Sequence, residues 1–226
     1  MIPSCIEVPP GRFMLGGCPD DKFVNATELP RQEIEIERAF QISIYPVTIA
    51  EWRAFGLGEG NDSDDAILPV TGVSWFEANE YCQWLGEKSG STWRLPTEIE
   101  WEYACRAETD TPFFTGQSIS LSEANYLYEE NGSRVGIGRL LPVGSFEPNS
   151  FGIFDMHGNV NEWTSDIWKA SHAVGEKEDL SRRVVRGGGW DYLPRMLRCS
   201  WRDALSPDTR RDNLGFRVIA ERAIGG

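Results

Sequence analysis

Two helix-start signals, followed by a long stretch without any, limit what this chain can fold into. Ser74-Trp75-Phe76-Glu77 sets a hydroxyl three residues ahead of a carboxylate, the pattern in which each satisfies the other's backbone amide at a helix N-terminus. Trp75, Ala78, Cys82 and Leu85 then follow at helical spacing and predict a buried face. Gly86 lies near the expected end and Gly90 beyond it. Thr97 and Glu100 repeat the cap behind Pro96, with Trp101, Ala104 and Cys105 on the inner side. Cys82 and Cys105 are therefore expected as core residues. After Arg106, glycine- and asparagine-bearing segments alternate with short apolar runs, which suits short strands and extensive loops. The expectation is an α+β fold with two central helices. Nine tryptophans and eleven phenylalanines offer the large buried area that so little regular structure requires.

The 226 residues contain no linker, internal repeat or low-complexity run, so one domain over 1–226 is expected. No segment reaches the roughly 18 apolar residues of a membrane span, so no membrane partner is expected. The start, MIPSCIEVPPG, lacks a basic region followed by an apolar core, which points to a cytoplasmic location. Five cysteines in that compartment are expected to be reduced and buried. Charge is uneven. Residues 182–217 hold nine arginines, no lysine and four aspartates, a net +5, so the remainder carries −18 of the −13 total. An acidic surface argues against nucleic acid as a partner. The arginines suit either Arg–carboxylate and Arg–carbonyl forks that hold an irregular region together, or an anion-recognising surface.

Asp155-Met156-His157-Gly158-Asn159-Val160-Asn161-Glu162 is a candidate cation loop. Asp155 and Glu162 offer carboxylates, and Gly158 and Val160 main-chain carbonyls, the oxygen donors that calcium takes. A turn closed by Asp155 and Asn159 side chains is the alternative. Two histidines cannot build a three-histidine iron centre, and no CxxC or HxxxH spacing starts a zinc site. A serine hydrolase lacks its GxSxG elbow. Gly136-Ile137-Gly138 has no following helix signal. The glycines of RGGGW (186–190) lack a phosphate-loop ending and are expected to let the backbone pass close to a tryptophan.

Several blocks resemble the formylglycine-generating (sulfatase-modifying) enzyme family, in that family's order. They are GRFMLGG (11–17), YPVTIAEWR (45–53), VTGVSWFEANEYCQWL (70–85), WRLPTEIEWEYACRA (93–107), GIFDMHGNVNEWTSD (152–166) and the close from RVVRGGGW to PDTRRDNLGFRV. The resemblance implies the family's variant of the C-type lectin fold, and calcium at Asp155, Gly158, Val160 and Glu162. A second calcium site would use Asn125 and an acid where Val135 stands, so it is not expected. The family's chemistry implies two copper-binding cysteines, which activate oxygen to oxidise a substrate cysteine. Cys199 matches the second, but Pro194 occupies the first position, so copper is not expected. The closing segment also resembles the lectin-like variable proteins of diversity-generating retroelements.

The function expected from these observations is a non-catalytic module that binds a protein or small ligand through residues 190–212, and a diversified retroelement target is one form of it. Asp191, Tyr192, Leu193, Trp201, Asp203, Leu205, Arg210 and Arg211 are the candidate contact residues, a mix suited to recognition. Arg186, Arg198, Arg202 and Arg217 are expected to be buried in ion pairs. The alternative is an oxidase or maturation enzyme of the same family, acting on a cysteine or peptide substrate through Cys199.

Overall fold

The computed structural model describes residues 1–56 and 65–221. Both anticipated helices are present with reciprocal caps. The longer one, α2 (Trp75–Ser89), starts at Ser74, whose side chain accepts from the Glu77 amide. The other, α3 (Glu98–Arg106), starts at Thr97 with the same exchange to Glu100. A short α1 (Ile49–Phe55) carries a third such box, Thr48 with Glu51. Gly86 does not end α2, which runs on to a left-handed Gly90. Ala78, Cys82 and Leu85 are buried as expected, along with Tyr81.

Among the described residues, ten strands surround these helices. β1 (Cys5–Val8), β4 (Phe40–Ser43), β10 (Ile219–Glu221) and β5 (Thr92–Arg94) form one sheet in that order. A hairpin joins β2 (Gly11–Leu15) to β3 (Gln32–Ile36). The third sheet runs β8 (Asp203–Leu205), β7 (Glu178–Arg186), β6 (Asn161–Lys169), β9 (Leu214–Phe216). Within it β6 and β9 pair in parallel, which brings the closing segment against the end of the candidate cation loop.

Among the described residues, the two larger of four apolar clusters form most of the core. One joins α2 to the third sheet through Tyr81, Cys82, Leu85, Trp163, Val185 and Phe216. The other sets Trp101, Ala104 and Cys105 of α3 against Val8, Ile42, Met156, Cys199 and Ile219. Cys105 is thus a core residue, and the same cluster holds Cys199. No helix among the described residues is long and apolar enough to cross a membrane.

Candidate functional site

The arginines of the closing segment divide into two groups. Arg186, Arg198, Arg202 and Arg217 are all buried. Arg186 reaches Glu102 Oε2 at 2.5 Å, Glu98 Oε1 at 3.2 Å and the carbonyls of Cys199 and Ser200. Arg202 grips both oxygens of Glu98, at 2.6 and 2.7 Å. Arg198 grips both oxygens of Glu28 at 2.7 Å and also reaches Asp21. Arg217 grips Glu162 at 2.6 and 2.8 Å. These forks tie the irregular C-terminal chain to α3, to β6 and to the N-terminal loops, as expected of guanidinium groups there. Sequence reasoning left the acceptors unnamed. Glu98 and Glu102 stand one turn apart on α3, and that i, i+4 spacing was the signal that could have found them. Glu102 is held below the ordinary carboxylate range. Burial opposes this, but the Arg106 and Arg186 charges and the Gly16 amide prevail.

The candidate contact residues separate as well. Arg210 and Arg211 are exposed, and Asp191, Leu193, Asp203, Tyr192 and Leu205 are half-buried. Asp191 accepts from Asn213 Nδ2 at 2.7 Å, and Arg210 pairs with Glu77 at 3.0 Å. Trp201 is not a surface residue: only 8% of it is exposed. The run Leu197–Trp201 is continuously buried because Arg198 and Arg202 are both drawn inward to carboxylates, and Trp201 goes in between them with its ring edge on Tyr192. Leu205 packs against the main core cluster and Tyr192 against a third, so each shows only part of its side chain. Trp201→Ala is expected to cost about 3 kcal/mol in a denaturant melt, the usual toll of emptying a buried aromatic site.

An open groove of about 720 Å³ borders this segment, lined by Trp190, Asp212, Arg139 and Leu140 among others. A smaller one of about 260 Å³ is lined by Pro194, Arg195, Phe23 and Glu130 among others. Residues 190–212 therefore border two concave surfaces, though Asp191, Leu193, Asp203, Arg210 and Arg211 line neither.

The cation loop is folded tightly. Gly158 has φ +75°, and a Cβ there would lie 2.3 Å from the Asn125 carbonyl oxygen. Gly187 of RGGGW has φ +93°, with Trp101 Cζ2 at 3.2 Å from its would-be Cβ, which is the close tryptophan approach expected of that motif. Asp155 Oδ2 accepts from the Gly144 amide at 2.8 Å, while Oδ1 is buried with no hydrogen-bond partner. Burial, with Glu162 nearby, pushes the Asp155 carboxyl up to about 6. An orphaned buried carboxylate oxygen fits a calcium ligand. Glu162 is more fully engaged, since Arg217 and Trp101 Nε1 occupy its two oxygens. Asn125, by contrast, spends its amide on the Arg139 carbonyl and Asn159 Oδ1.

Cys199 does not stand alone. Its sulfur lies 3.5 Å from Cys105 Sγ, and His157 Nδ1 lies 3.9 Å from Cys105 Sγ. Cys105 is 94 residues away in sequence, and no spacing rule could pair the two before the fold placed α3 beneath the closing segment. Burial and the neighbouring sulfur push the Cys105 thiol up. Burial opposes ionisation at Cys199 too, but hydrogen bonds from Cys105 and His157 hold it low. His157 is packed inside, stacked on Phe114, so it is not available as an open catalytic base. The copper pair implied at positions 194 and 199 does not fit this chain, because proline offers no ligand.

The sulfatase-modifying factor enzyme 1-like domain family matches residues 1–222. The formylglycine-generating enzyme of Mus musculus is 37% identical over 199 residues, covering 78% of this chain and 50% of that protein. The inactive C-alpha-formylglycine-generating enzyme 2 of Bos taurus is 33% identical over 187 residues, covering 77% and 58% respectively. The chain spans about half the length of the first of these curated relatives. Among solved structures, PvdO from Pseudomonas aeruginosa superposes with a TM-score of 0.84 at 28% identity, over 97% of this chain and 94% of that one. Treponema denticola variable protein 1 has a TM-score of 0.77 at 23% identity, over 96% and 94%, and shows a shared fold. The fold, the order of its motifs and the match along its length agree: the chain belongs to the sulfatase-modifying factor enzyme 1-like domain family, in the C-type lectin variant fold of formylglycine-generating enzymes.

Proposed function

We propose that this chain is a non-catalytic binding module that recognises a protein or small ligand through the segment 190–212. The observation that carries this reading is the division of that segment. Its framework arginines are spent inside, while Asp191, Leu193, Asp203, Arg210 and Arg211 keep exposed or half-exposed side chains, and the same segment contributes Trp190 and Asp212 to one groove and Pro194, Arg195 and Arg198 to another. Concave surfaces flanked by aromatic and arginine side chains are common binding sites. A scaffold that fixes its core independently of such positions also suits a diversified target protein. The family includes a relative named as inactive, so membership does not imply catalysis.

Binding to an immobilised array of glycans and peptides tests the reading. The wild type is expected to bind at least one feature. A variant with Leu193, Arg210 and Arg211 all changed to alanine is expected to lose it while its melting temperature stays nearly unchanged. Cys199→Ser is expected to keep it. Binding indifferent to the three surface changes, or no binding to any feature, counts against the proposal.

The cation loop is also proposed to hold one structural calcium ion, with Asp155 Oδ1 as the available carboxylate oxygen and carbonyls from Gly158 and Val160, while the expected fourth ligand, Glu162, is committed to Arg217 and Trp101. An ion that binds only the folded chain raises the melting temperature by mass action. Excess chelator is therefore expected to lower the melting temperature of the wild type and leave that of Asp155→Ala unchanged. A wild-type melt indifferent to both chelator and added calcium contradicts the site.

A second reading, an oxidase of the same family acting through Cys199, draws on one observation: Cys105 places a second sulfur beside it. Both sulfurs are fully buried, which gives a substrate cysteine no approach to them in this conformation.

A further inference from the structure

We propose that Asn161, Asp191, Tyr192 and Asn213 form a subsite for a primary ammonium group, such as that of a lysine side chain. The inference rests on the reading of residues 190–212 as the recognition segment, and names the chemistry that this segment takes. The four residues close a ring of contacts. Asn161, at the start of β6, donates its backbone N–H to the Asn213 carbonyl at 2.8 Å. Asn213 Nδ2 donates to Asp191 Oδ1 at 2.7 Å. Tyr192 follows Asp191 in the chain, and its hydroxyl meets the Asn161 side chain.

The ring lacks donors. Asn161 Oδ1 and Asn213 Oδ1 are buried with no hydrogen-bond partner, in residues only 2% and 4% exposed. Asp191 fixes which way the Asn213 amide points, since a carboxylate accepts and does not donate. Buried carbonyl oxygens left in this state cost folding free energy until a donor meets them. Among the described residues, Asp191 and Asp203 bond only amide groups, those of Asn213 and Ala204, and neither has a basic partner. Burial pushes the Tyr192 hydroxyl up; the Asn161 side chain and Arg211 act against this, and Asp203 and Asp191 add to it. Tyr192 therefore stays uncharged near neutral pH. Asp191, Asp203 and Arg211, whose charges all reach that hydroxyl, hold one negative charge in excess.

Donor count and charge select the ligand group. An ammonium brings one positive charge and three donors on a compact head. The acceptors waiting for it are the Asp191 carboxylate and the two asparagine oxygens. A guanidinium presents a wider planar fork, and a water molecule satisfies the oxygens but leaves the charge unmatched. Asp191 and Tyr192 are half-buried and form the mouth, while the asparagines form the floor. At the mouth the Tyr192 ring adds a π face for the cation.

The test titrates the isotope-labelled chain, at about 0.15 M salt to screen diffuse attraction, and follows its asparagine side-chain amides by NMR. The probes are a peptide with one central lysine, its Nε-acetylated and arginine twins, and spermidine. The lysine peptide is expected to shift the Asn161 and Asn213 signals saturably, and the acetylated twin to leave them in place. This comparison needs no variant, so a folding defect cannot blur it. Asp191→Asn, which keeps an acceptor for Asn213, is expected to weaken binding about tenfold, the scale of one lost charge-assisted hydrogen bond. Asp208→Asn removes the same charge from an exposed position in the segment and is expected to leave binding nearly unchanged. Saturation by the peptide below the level needed for spermidine assigns the ammonium to a protein chain, and the reverse order to a free polyamine. No shift with the lysine peptide or with spermidine, an equal response to the acetylated twin, tighter binding of the arginine twin, or equal losses in the two aspartate variants would overturn the assignment. A ligand that needs Leu193, Arg210 and Arg211 but ignores lysine acetylation would overturn it while leaving the binding reading in place.

Discussion

Arg186→Ala is expected to cost about 3–5 kcal/mol of folding stability, the usual effect of removing one partner from a buried ion pair. Arg186 is fully buried and stands between Glu98 and Glu102, two carboxylates that have no water to turn to. The carbonyls of Cys199 and Ser200 lose their donor at the same time. Arg186→Lys is expected to recover only part of the loss, because an ammonium cannot span four acceptors with a planar fork. Equilibrium denaturation reads both, and a loss below about 1 kcal/mol for the alanine variant, the scale of an exposed pair, would contradict the framework role. The same network sets an acid limit. The Glu102 pKa is lowered from 4.5 in the folded state. Its contribution is therefore complete above the unfolded value and is lost as pH falls through the lower folded one. Glu102→Gln is expected to lower stability near neutral pH and to flatten that acid-side decline.

Gly158→Ala is expected to cost about 4 kcal/mol, combining left-handed backbone strain with an overpacked contact. At φ +75° the new methyl would sit 2.3 Å from a backbone oxygen of Asn125, which is itself bridged to Gly158 and cannot rotate aside. Leu197 also lies within 3.0 Å, so relief in one direction creates strain in the other. Gly90→Ala shares the left-handed conformation but meets no atom within 4 Å, and is expected to cost only the strain. Comparing the two melts separates conformation from crowding. Equal losses would show that the cation loop is not packed as described.

The parts of this fold that were legible in the sequence are those specified locally. Capping at Ser74 and Thr97, the buried face of α2 and the inward arginines each follow from residues near one another in the chain or from a repeated motif. Three features were not legible for a common reason. Trp201 was expected outside because its segment mixes aromatic and polar residues, yet its exposure is decided by Arg198 and Arg202 reaching carboxylates far away, at Glu28 and Glu98. Cys105 was expected as core and is core, but its nearness to Cys199 depends on how α3 crosses beneath the closing segment. Glu162 reads as a free cation ligand until Arg217 and Trp101 are seen to occupy its oxygens. In each case a contact distant in sequence determines what a side chain is free to do.

The central claim, recognition without catalysis, is tested most directly by oxygen consumption. The chain, supplied with copper(I), is mixed in air with a peptide bearing a single cysteine, and oxygen uptake is followed alongside the mass of the peptide. The account predicts no uptake above a copper-only control and an unchanged peptide, since both sulfurs are sealed and Pro194 stands where a second exposed ligand would be. Turnover of the peptide that disappears in Cys199→Ser would contradict it and establish the oxidase reading in its place.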